Sequence, residues 1–105
     1  MATKDSEKLI ILGTGSYVPP QVLTNDDLVR MGLDTTDEWI AKRTGVRERR
    51  MADSDITTAD LACEASKKAL EMAGKMAADI NPIIYATCTP DTLIPSTACW
   101  LQHKI

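Results

Sequence analysis

Within sixteen residues, Thr35 to Arg50, the chain gathers a carboxylate-rich helix start (Thr35-Thr36-Asp37-Glu38), one tryptophan (Trp39) and the cations Lys42, Arg43, Arg47, Arg49 and Arg50. An indole stacks on flat π systems, and a guanidinium is a planar fork matched to phosphate oxygens. Together they suit a phosphorylated, ring-bearing handle such as coenzyme A. The same residue types also fit a half-buried Trp at a helix–strand junction with arginines in water.

Other residues with chemical potential are less well placed. Cys88 stands at the end of an apolar run but has no neighbouring His to make it a thiolate, so it reads as core or pocket wall. Cys63 and Cys99 fall inside helical patterns and read as small apolar fillers, and His103 reads as a surface residue. Gly13-Thr14-Gly15 after an apolar run suggests a dinucleotide fingerprint, but Val18 stands where the third glycine belongs and Pro19-Pro20 blocks a helix. Those glycines read instead as a turn crowded by another strand. Leu93-Ile94, between two prolines, is an apolar pair in a loop: a contact for another surface or a cover over its own core.

The elements that must position these residues follow from periodicity and punctuation. Leu9-Ile10-Ile11-Leu12 reads as a buried strand continued by Tyr17-Val18. Thr24 caps a short helix over 25–31, ended by Gly32. Thr35 and Glu38 have capping-box spacing for a second helix that stops near Gly45, and Val46–Met51 is a strand or an extended arm. Thr57 or Thr58 opens the longest helix, 59–73, closed by Gly74. Leu61, Ala62, Ala65, Ala69, Leu70 and Ala73 form its apolar stripe, and small residues there permit close approach. Ile83–Cys88 reads as a strand covered on both faces, as in parallel sheets, and Pro95 as the first residue of a helix to Ile105. The order β, α, α, β, α, β, α implies a layered α/β protein.

Composition bounds the rest. At 105 residues the chain is one domain at most, and with 44% hydrophobic residues but no Phe its core is aliphatic. Net charge is −3, yet residues 42–50 hold five cations against Glu48, a local +4 that leaves −7 elsewhere. An acidic chain with one basic island suits a single small anion rather than nucleic acid. Three cysteines without C-x-x-C spacing imply neither a disulfide framework nor structural zinc. The residues at 1–8 do not resemble a secretory leader and no run is long enough to span a membrane, so a cytoplasmic setting is expected.

Several segments together resemble one family. Gly13-Thr14-Gly15-Ser16-Tyr17-Val18-Pro19 with Thr24-Asn25, then Thr36-Asp37-Glu38-Trp39-Ile40 and Arg43-Thr44-Gly45-Val46-Arg47-Glu48-Arg49, resemble the N-terminal signatures of beta-ketoacyl-[acyl-carrier-protein] synthase III. Ala86-Thr87-Cys88-Thr89-Pro90-Asp91 and Pro95-Ser96-Thr97-Ala98 resemble its next strand and helix start. The resemblance covers Leu9 to Ile105. It implies a thiolase-like αβαβα layered fold, of which residues 1–105 are the first part of the N-terminal half.

The resemblance further implies an acyltransferase that loads an acyl group from acyl-CoA onto a cysteine and condenses it with malonyl-acyl carrier protein, starting fatty acid synthesis. It implies a homodimer without a permanently bound cofactor or metal. Trp39 matches the Trp that stacks on the adenine of coenzyme A, Arg43 the Arg on the other side of that ring near its phosphates, and Thr35 a hydroxyl contact at the same mouth. Cys88 matches an acyl-pocket wall position. Ile94 matches the bulky residue, Phe in some members, that crosses the dimer interface to close the partner's acyl pocket. Arg47, Arg49 and Arg50 are candidates for docking the acidic carrier protein. The nucleophile, His and Asn of the family are expected beyond Ile105, so no catalytic residue is assigned here and this chain alone is expected to be inactive. The alternatives are a non-catalytic fragment or interaction module, or a condensing enzyme of secondary metabolism on the same scaffold.

Overall fold

The computed structural model describes residues 8–105; the amino-terminal residues read above as lacking a leader lie, but for Lys8, outside it. Chain entry into the first helix is set locally. The Thr24 hydroxyl accepts the Asp27 amide at 3.2 Å, and the Asp27 carboxylate accepts the Thr24 amide at 2.8 Å, a capping box that opens α1 (Asn25–Arg30). Hydrogen bonds from Thr24, with the charge of Arg30, hold the Asp27 carboxyl below its usual range.

Thr36, not Thr35, caps α2 (Asp37–Thr44): its hydroxyl accepts the Trp39 amide at 3.1 Å. The capping-box spacing of Thr35 and Glu38 therefore has no counterpart in the structure, because the turn begins one residue later. Gly45 ends α2 in the left-handed region at φ 73°, where a Cβ would be strained.

The two helices fill the connection between β1 (Gln21–Thr24) and β2 (Glu48–Met51), which pair antiparallel with Leu23 opposite Arg49 and Thr24 opposite Glu48. The sequence pattern did not mark β1. Pro19-Pro20 breaks the preceding run, and only the partner strand twenty-seven positions or so later makes Gln21–Thr24 a strand.

Thr57 and Asp60 form a second capping box at the start of α3 (Thr58–Ala73), closed by Gly74 at φ 60°. α3 packs on α4 (Thr97–Lys104), burying Ala59, Cys63 and Leu101. Pro95 precedes α4 rather than opening it; Ser96 holds the cap position. Cys99 is exposed on α4 rather than filling the core, whereas Cys63 is buried.

Along the other flank of α3 runs the segment Gly13–Ser16. A Cβ on Gly13 would meet Ala69 O and come within 2.9 Å of Ala73 N; one on Gly15 would meet Ala65 O and come within 2.6 Å of Ala69 N. The glycines thus serve close approach, but to the alanine stripe of a helix rather than to a strand. Lys68 fastens the same segment, donating to Ser16 O at 3.0 Å and lying over the Tyr17 ring.

Leu9–Leu12 and Ile83–Cys88 form no strand ladder among the described residues. Leu9 is 99% exposed and Ile84 94% exposed, so the expected buried strands are, in this chain, uncovered ones. A strand exists only by its neighbour, and the described residues supply none for either segment.

The α3–α4 contact carries an ion pair, Lys104 Nζ to Asp60 Oδ1 at 2.7 Å. That bond, with those from Thr57, lowers the Asp60 carboxyl to about 2 and raises Lys104. A depressed carboxyl stabilises the folded form above its ordinary value of 3.8 and loses that contribution as pH falls toward about 2. In the complete gene product an NMR titration is expected to place the Asp60 midpoint near 2; a midpoint near 4 would show the pair unformed there.

Candidate functional site

Asn25 builds the site. Its side chain is 1% exposed, and its Nδ2 donates to Asp37 Oδ1 at 2.7 Å and to Val46 O at 2.8 Å. Its Oδ1 accepts from Arg49 Nη2 at 2.6 Å, and its main-chain amide donates to Arg47 O at 3.1 Å. Arg47 completes the cluster with a longer pair to Asp37 Oδ2, 3.4 Å. These bonds tie α2 and the connector after it to the start of α1, which itself packs on β1.

From that seat α2 presents Trp39 and Arg43, one turn apart. Trp39 is 54% exposed, and the Arg43 guanidinium carbon lies 4.8 Å from its ring centroid. This is a cation–π stack, worth about 0.5–1 kcal/mol at an exposed site. It differs from the expected sandwich, because 4.8 Å leaves no room for a third planar group between ring and guanidinium. A flat ligand must take the open indole face or displace Arg43. Thr35 stands just before the helix; its hydroxyl oxygen is buried and has no hydrogen-bond partner among the described residues.

The opposite face of α2 borders an open groove of about 350 Å³ lined by Asp37, Glu38, Ala41, Lys42 and Arg47. Its charges balance, so it offers an anion little. The basic character of 42–50 is likewise partly spent internally: Arg49 turns inward to Asn25, and Arg50 donates to Pro19 O at 3.4 Å and Pro20 O at 3.2 Å. Of the residues singled out in this stretch, Arg43 keeps its guanidinium beside an exposed aromatic face.

The second group of sequence-derived site residues lies on the loop before α4. Asp91 accepts the Ala59 amide at 3.1 Å, and Thr58 Oγ1 donates to Thr89 O at 2.9 Å, tying the loop to the start of α3. Trp100 Nε1 donates to Thr92 Oγ1 at 2.8 Å and closes the other side. Held this way, Leu93 and Ile94 project outward, each 90% exposed. Cys88 is exposed too. Neither Cys88 nor Ile94 lines the small cavity of about 190 Å³ beneath the loop, where Tyr85, Thr87, Pro90 and Leu93 are found. Burial, with the nearby Asp91 charge, raises the Tyr85 phenol, which donates to Thr58 O at 2.9 Å.

Asn25 and Asp91, the two residues that hold these surfaces in place, were not legible as such. Asn25 stands in a polar run, Thr24 to Asp27, where capping and solvation account for such residues equally well. Chemically the site offers one exposed aromatic face with a guanidinium beside it. Among the described residues no cysteine is hydrogen-bonded to His103, no cluster of His, Cys, Asp and Glu is arranged to hold a metal ion, and no helix is long and apolar enough to cross a membrane.

No family model matches the chain. Solved structures define the class. Over 90% of its length the chain superposes on 3-oxoacyl-[acyl-carrier-protein] synthase III from Aquifex aeolicus with a TM-score of 0.83 and 47% identity, covering 30% of that chain. It superposes on the priming beta-ketosynthase of the R1128 polyketide pathway with a TM-score of 0.82 and 36% identity, covering 28%. Across the part it spans, the chain thus has the thiolase-like α/β fold of these enzymes.

Among curated proteins it is 59% identical to the beta-ketoacyl-[acyl-carrier-protein] synthase III of Caldanaerobacter subterraneus subsp. tengcongensis and 55% identical to that of Xanthomonas euvesicatoria pv. vesicatoria. Each match takes in 90% of this chain and 28% or 29% of the relative. The chain is a relative of the synthases III across the part of them that it spans, under a third of their length.

Proposed function

We propose that this chain supplies part of the coenzyme A mouth of a 3-oxoacyl-[acyl-carrier-protein] synthase III, an acyltransferase that condenses acyl-CoA with malonyl-acyl carrier protein to start fatty acid synthesis in the cytoplasm. The observation that carries the reading is the exposed Trp39 ring with the Arg43 guanidinium 4.8 Å from its centroid, on a helix seated by buried polar bonds. Adenine takes the open indole face, and Arg43 is released toward the phosphates, exchanging a weak stack for charge-assisted hydrogen bonds. Thr35, with its unpartnered hydroxyl, borders the same mouth. The outward Leu93-Ile94 loop serves the acyl pocket and the contact between two copies of the enzyme, with Cys88 on the adjoining wall.

The reading as a synthase III, rather than a condensing enzyme of secondary metabolism, is supported by the 55–59% identity to two curated synthases III, against 36% to the polyketide priming enzyme. In the complete gene product, coenzyme A is expected to quench Trp39 fluorescence saturably. Pantetheine, which lacks the adenine, is expected to leave it unchanged, and Trp39→Ala to abolish the response. Equal quenching by pantetheine would refute stacking on the purine.

A further inference from the structure

α2 has no fully buried residue, and only Ile40 and Ala41 are half-buried apolar positions on it, so apolar packing holds it weakly. One amide adds the polar bonds that tie it down. The two hydrogens of Asn25 Nδ2 go to Asp37 Oδ1, on the first residue of α2, and to Val46 O, just past its Gly45 cap. A single planar group therefore ties both ends of an eight-residue helix. Its oxygen is occupied by Arg49, whose strand position opposite Leu23 is set by the β1–β2 register. The demand is for two donors and one acceptor on a short planar group, which Asn meets; Asp offers no donor when ionised. Enclosed at 1% exposure, the amide has no water to substitute for a lost partner.

We propose that Asn25 is the positioning residue of the Trp39–Arg43 face: its buried amide, bridging Asp37 and Val46, holds α2 where that face can receive the ligand. This rests on the coenzyme A reading for the ligand, but not for the helix. Asn25→Asp keeps shape while setting a carboxylate against Asp37 and the Val46 carbonyl. Asn25→Asp combined with Asp37→Asn reverses donor and acceptor between the two positions and restores one bond of the pair.

In the complete gene product, hydrogen exchange over residues 37–46 reads the position of α2 without ligand, exchange over 58–73 serves as the control for the rest of the fold, and calorimetry reads coenzyme A affinity. Asn25→Asp is expected to speed exchange in 37–46 and weaken coenzyme A each by about tenfold, sparing 58–73. The swapped double variant is expected to recover most of both. Unchanged exchange over 37–46 in Asn25→Asp overturns the proposal, as does equal loss in both regions that the swap fails to repair. If the unaltered protein binds no coenzyme A while exchange responds as expected, the ligand reading falls and the positioning of α2 by Asn25 stands.

Discussion

Trp39→Ala in the complete gene product is expected to raise KM for acyl-CoA about tenfold or more while kcat changes by less than about twofold. Stacking of a base on an aromatic side chain is worth about 1–3 kcal/mol by alanine substitution, and each 1.4 kcal/mol is a factor of ten. Opening the Arg43 stack costs about 0.5–1 kcal/mol and offsets part of that gain. With adenine on Trp39 as proposed, the contact lies remote from the thioester and is the same in ground and transition states. Loss of such uniform binding appears in KM and not in kcat. Steady-state kinetics with varied acyl-CoA would check this. An unchanged KM would remove Trp39 from the mouth, and an equal fall in kcat and kcat/KM would place it at the reacting centre instead.

The isolated 105-residue chain is expected to show no cooperative thermal transition. Its radius of gyration is 19.0 Å and it extends 64 Å in its longest direction, against about 13 Å radius for a compact domain of this size. The buried hydrophobic residues among those described are Ala59, Cys63 and Leu101, while Leu9 to Leu12, Ile84, Leu93 and Ile94 are all at least 60% exposed. Fixing each backbone residue costs about 1–2 kcal/mol, and apolar burial on this scale does not offset it along the whole chain. Local helix caps survive as fraying helicity, without an all-or-none melt. A sloping circular dichroism trace would agree; a sharp two-state transition of monomer would contradict it.

Much of the local structure was legible because its causes are local. Thr24 with Asp27, Thr57 with Asp60, and glycines at 32, 45 and 74 act across a few residues, and the helix ends they imply agree with the structure to within a residue or two. Trp39 and Arg43 were legible as a pair for the same reason: positions four apart share a face on any α-helix. Even there the second cap slipped from Thr35 to Thr36, since two adjacent threonines offer the same hydroxyl.

The rest depended on partners far along the chain. Asn25 is a helix residue by its neighbours and a buried clamp only because Asp37 and Val46, 12 and 21 positions later, converge on it. Arg49 is a surface cation by composition and an internal donor by register, 24 positions from its acceptor. Residue types along the chain determined the helices, their ends and the aromatic–cation pair, because hydrogen bonds within one turn specify them. The tertiary structure alone decided that α2 is held by a buried amide, that Gly13 and Gly15 press on a helix, and that two apolar segments lie uncovered, because these follow from which distant surfaces meet.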